Sequence, residues 1–214
     1  MISWRENIAR APYRLWGLIL AAVIMTLLLG QIVMERVTLL SSGTEVRLAT
    51  APVDPRDIFR GDYVILTYDI SRLPVDRLAE DPDQFSGGDT VYVTLSEATT
   101  GLWQATAMHH RQPEADAGTV SIKGRIDWMD TAPLTPTAVA GEAPVEERCV
   151  GCRNARISYG IESYFVPEGT GRELEDMRDE GSVTVIAAVS ENGTAAIKGL
   201  ILDGGDPVYL EPLL

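Results

Sequence analysis

Few residues in this chain could do chemistry: two lysines, two adjacent serines, one pair of cysteines, one pair of histidines and a group of aspartates. Lys123 and Lys198 are the only lysines. A lysine desolvated in an apolar site is neutral and can activate a serine. Ser41 or Ser42 would be the nucleophile and Lys123 the base. Against this, a catalytic lysine has little reason to recur as Lys198. Cys149 and Cys152 form a lone CxxC. Structural zinc takes four ligands, and neither a second CxxC nor a nearby His is present. A thioredoxin-type site needs its first cysteine at a helix start, whereas Cys152 leads into Arg156–Ile161, which alternates like a strand. The pair therefore reads as a local disulfide across Val150-Gly151. His109 and His110 are strand neighbours and point to opposite faces, which argues against a shared metal. Asp54, Asp57, Asp62 and Asp69 invite a calcium reading, but caps and turns account for the first three. No metal and no cofactor is expected.

The two lysines occupy the same motif. Gly118-Thr119-Val120-Ser121-Ile122-Lys123-Gly124-Arg125-Ile126 aligns without gaps on Gly193-Thr194-Ala195-Ala196-Ile197-Lys198-Gly199-Leu200-Ile201, with six of nine positions identical. Upstream, Tyr68-Asp69-Ile70 matches Tyr159-Gly160-Ile161 and Val91-Tyr92-Val93 answers Val183-Thr184-Val185. Arg77–Asp81 resembles Arg172–Asp176. We expect two similar β-rich lobes, 37–130 and 155–214, joined by a Pro-rich linker with the CxxC over 131–154. Each lysine should stand opposite its flanking isoleucines, Ile122 with Ile126 and Ile197 with Ile201, and point to solvent or to an acidic partner. Val64, Leu66, Tyr68 and Ile70 define the buried face of a strand from Tyr63 to Ile70, and Val183–Val189 with Asn192-Gly193 a hairpin. Helical signals are confined to Pro74–Glu80 and Arg172–Arg178. The fold class is mainly β behind a single N-terminal transmembrane helix.

That helix is the clearest element. Leu15 to Met34 holds no charge, and at about 1.5 Å per residue it spans roughly 30 Å, the thickness of a bilayer's hydrocarbon core. The run exceeds a signal-peptide h-region and lacks a small-x-small cleavage site, so it is read as an uncleaved anchor over 1–36. Arg5, Arg10 and Arg14 precede it, and the positive-inside rule then puts the N-terminus in the cytoplasm and the domain in the periplasm. Residues 1–36 carry four arginines and two glutamates, so the net charge of −13 becomes −15 beyond the anchor. Nucleic acid and anionic headgroups would be repelled by such a surface.

Asp54-Pro55-Arg56-Asp57-Ile58-Phe59-Arg60-Gly61 reads as one capped helical turn: Asp54 caps, Pro55 takes the first helical position, Asp57 sits at the dipole's positive end and Gly61 exits. This also explains the adhesion-like tripeptide Arg60-Gly61-Asp62. The following Gly61-Asp62-Tyr63-Val64-Ile65-Leu66-Thr67-Tyr68 resembles the GDYXXLXY family at every fixed position of its motif. The resemblance extends over Tyr159, Gly160, Tyr164, Pro167, Glu168 and Gly169 to Ile197-Lys198-Gly199-Leu200, most of residues 46–204. It implies a bacterial, membrane-anchored protein set beside a multi-pass membrane partner, and it brings no catalytic residues. A signal-peptidase-like Ser/Lys hydrolase is the alternative, although Gly43-Thr44 after Ser42 departs from that family's Ser-Met-x-Pro context. The favoured function is an accessory or interaction module without enzymatic activity.

Overall fold

The computed structural model describes residues 4–51, 63–114, 116–131, 152–165, 183–202 and 205–208, with backbone alone for 4–14, 63 and 207–208. The chain divides into two units, one ending at Thr38 and the other starting at Leu39. The first is helical. Helix α1 runs from Trp4 to Ser42, longer at both ends than the apolar run. Within Leu15–Ser42 an 18-residue window has a mean hydropathy of 2.4 and none of it is buried against protein, so α1 is long and apolar enough to cross a membrane. Its polar groups are satisfied locally. Thr26 donates to the Ala22 carbonyl (2.9 Å) and Gln31 to Glu35 (3.0 Å).

The second unit begins with the last turn of α1, where Leu39 and Leu40 pack on Ala188 and Ala196. Gly43 donates to the Leu39 carbonyl at 3.0 Å. A Cβ there would stand 2.5 Å from that oxygen, which is why glycine ends the helix. The strands follow in chain order: β1 (Thr44–Ala51), β2 (Tyr63–Ile65), β3 (Thr67–Tyr68), β4 (Arg72–Pro74), β5 (Thr90–Glu97), β6 (Trp103–His109), β7 (Thr119–Asp130), β8 (Asn154–Ser158), β9 (Ser163–Phe165), β10 (Val183–Val189), β11 (Ala195–Leu202) and β12 (Pro207–Val208). One sheet has the order β12-β11-β10-β1-β3, a second β4-β8-β7-β5-β6, and β2 pairs with β9 as a separate ribbon. Among the described residues, helix apart from α1 is limited to short turns such as α2 (Val75–Leu78), inside the expected Pro74–Glu80. The other expected helix, Arg172–Arg178, lies outside the described residues.

The protein is mainly β, as its alternating pattern predicts. Buried side chains from both sheets, among them Val46, Leu66, Val93, Ile122, Val185 and Leu200, form one continuous core. The described residues do not separate into two lobes with cores of their own. The two Ile-Lys-Gly segments are both strand, β7 and β11, but their neighbours differ: β7 lies between β8 and β5, β11 between β12 and β10.

A β-bulge corrects the expected side-chain phase in the second copy. Ile186 pairs with Gly199 and Ala187 with Ile197, leaving Lys198 as the extra residue. One inserted residue reverses the faces beyond it. Ile122 and Ile126 therefore share the core face, whereas the core face of β11 carries Ile197 and Leu200 in place of Ile197 and Ile201.

Candidate functional site

The described part of the family motif is spent on the core. Val64, Leu66, Tyr68 and Ile70 are each 3% exposed or less, which matches the expected face. The backbone does not continue as one strand, however. Leu66 interrupts β2 and β3, and Asp69–Ser71 closes into a 3-10 turn. The interruption is where a second segment crosses.

That second segment is the one carrying Tyr159. The Tyr68 hydroxyl donates to the Ile161 carbonyl, and the Tyr159 hydroxyl donates to the Ile70 carbonyl at 2.7 Å. Each Tyr-x-Ile therefore gives its phenol to the other's isoleucine. The backbone N–H of each tyrosine is also capped by the side chain three residues on: Tyr68 by Ser71 (3.0 Å) and Tyr159 by Glu162. Glu162 takes a second bond from Gly160 (2.9 Å), whose φ of +79° favours glycine.

The exchange extends to the flanking strands. β2, before the first tyrosine, pairs with β9, after the second, as Tyr63↔Phe165, Val64↔Tyr164 and Ile65↔Ser163. β8, before the second tyrosine, pairs with β4, after the first, as Pro74↔Asn154, Leu73↔Ala155 and Arg72↔Arg156. Shifting a residue number by 91, the spacing from Tyr68 to Tyr159, carries one ladder onto the other. Burial follows the same relation: Leu66 matches Ile157, and Leu73 matches Tyr164, all buried. This local two-fold relation is the form in which the sequence repeat is present here. Gly124, of the first Ile-Lys-Gly, makes room for it, since a Cβ there would lie 2.5 Å from Ile157 and 3.0 Å from the Tyr159 ring.

Both phenols are buried, and burial first, then the charge of Glu162, pushes each well above the ordinary tyrosine value. Neutral and hydrogen-bonded, they are suited to holding backbone rather than exchanging protons at physiological pH.

The two lysines take separate places on the surface of the sheets. Lys123 is exposed, and its backbone N–H donates to the Gly193 carbonyl (2.8 Å), tying the β10–β11 turn to β7. Lys198 pairs with Glu45 on β1 at 2.5 Å, across the intervening β10, as expected of a lysine facing an acid across the sheet. Ser41 and Ser42 end α1, exposed. A general-base lysine needs desolvation, which an exposed or ion-paired ammonium lacks. The hydrolase reading draws no support from this geometry.

His109 closes β6, while His110 stacks on buried Phe85 with centroids 4.0 Å apart. Cys152 stands directly before Arg153 and β8. Arg153 is clamped to Asp76 through its backbone (2.6 Å) and guanidinium (2.8 Å) and to Asp83 (2.8 Å). The bonds from Arg153 to Asp76, the backbone one foremost, hold the Asp76 carboxyl below its usual value. Cys149, the stretch Asp54, Pro55, Arg56, Asp57, Arg60, Gly61 and Asp62, and the trio Pro167, Glu168 and Gly169 lie outside the described residues.

The architecture defines a class first: a β domain built on a reciprocal strand crossover behind one long apolar helix. The GDYXXLXY protein family model matches residues 25–200, and the chain belongs to that family. No curated protein and no solved structure matches it.

Proposed function

We propose that the chain is a single-pass inner-membrane protein whose periplasmic domain is a non-enzymatic interaction module for a multi-pass membrane partner. The observation that carries this is the end of the β2–β9 ribbon. Tyr63 is paired there with Phe165; in sequence the motif residues Asp54–Asp62 precede the one and Pro167–Gly169 follow the other. Phe165 is 76% exposed. The described motif residues Val64, Leu66, Tyr68 and Tyr159 are buried in the core, which leaves Phe165 as the exposed aromatic of this ribbon. Exposed aromatics of this kind are common anchors of interfaces.

A photo-crosslinking residue at position 165 of the full-length protein, irradiated in native membranes, should give one discrete adduct with an integral membrane protein. The adduct should persist in Lys123→Met and Lys198→Met variants. A folded protein that yields no adduct, or a lysine variant that accumulates an uncleaved substrate, would overturn the reading.

The arginines before the helix support a cytoplasmic N-terminus, and the strand after Cys152 supports a structural Cys149–Cys152 disulfide in an oxidising compartment. One experiment addresses both proposals. A membrane-impermeant thiol reagent added to cells with a permeabilised outer membrane should label the chain only after reduction. Labelling without reductant removes the disulfide, and labelling only after lysis and reduction removes the orientation.

A further inference from the structure

We draw no further inference here: the strongest candidate, the cleft of about 450 Å³ between β1, β4, α2 and the start of β6, lined by Asp69, Ile70, Leu73, Arg77, Trp103 and Gln104, is a surface of mixed polarity for which nothing in the structure shows what covers or fills it.

Discussion

Truncating the motif leucine, Leu66→Ala, should cost about 2–5 kcal/mol of domain stability, the range for deleting a large aliphatic side chain from a core that cannot fully collapse. Leu66 is completely buried, and its backbone N–H is fixed to the Glu162 carbonyl at 2.8 Å. It sits between β2 and β3, where the chain turns from the ribbon into the larger sheet. The surroundings are therefore held by two different sheets and have little freedom to fill the void. Urea titration of the full-length protein in detergent micelles, followed by tryptophan fluorescence, gives the midpoint. A shift corresponding to under 1 kcal/mol would mean that the motif leucine is not the core residue described here.

The opposite error, added bulk, should be as damaging at Gly124. Gly124→Val places its first carbon 2.5 Å from the Ile157 methyl and 3.0 Å from two atoms of the Tyr159 ring. Neither neighbour is the free end of a flexible chain: Ile157 and Tyr159 are both buried. Overpacking of this kind costs about 1–3 kcal/mol, and more where the backbone must move. The expected result is a lower thermal midpoint together with loss of the near-ultraviolet signal from the tyrosines. A midpoint at or above that of the parent protein would show that the crossover is loosely packed.

Much of this was legible in the sequence, for identifiable reasons. The apolar run to Met34 announces a helix through composition alone. The face of Val64, Leu66, Tyr68 and Ile70 is legible because burial follows strand alternation whether or not the ladder is continuous. What alternation cannot report is which strand lies alongside. The strict reciprocity of β2 with β9 and β4 with β8 depends on pairing between segments about 90 residues apart, visible beforehand only as the short match Tyr68-Asp69-Ile70 to Tyr159-Gly160-Ile161. Two similar lobes were the natural extrapolation, but a repeat whose halves trade strands shares one core. β1 carries the same signal, with Val46, Leu48 and Thr50 alternating with Glu45 and Arg47. The bulge at Lys198 left no local signal, since Ile197-Lys198-Gly199 is identical to the regular Ile122-Lys123-Gly124.

The central claim is that the two tyrosines are equivalent halves of one structural clasp. Its most direct test is the denaturation of the parent protein, Tyr68→Phe and Tyr159→Phe at pH 8 and at about pH 11. Removing either hydroxyl leaves a buried carbonyl, Ile161 or Ile70, without its donor, at a cost of about 1–3 kcal/mol. The two single variants should lose similar amounts at pH 8. Because both phenols are raised in the folded state, their contribution is complete below the unfolded value near 10 and is lost as pH rises above it. Each should add up to about 1.4 kcal/mol per pH unit to the alkaline decline. Each phenylalanine variant should therefore show a shallower fall between the two pH values than its parent. Unchanged stability at pH 8 in either variant, or alkaline falls equal to the parent's in both, would contradict the account.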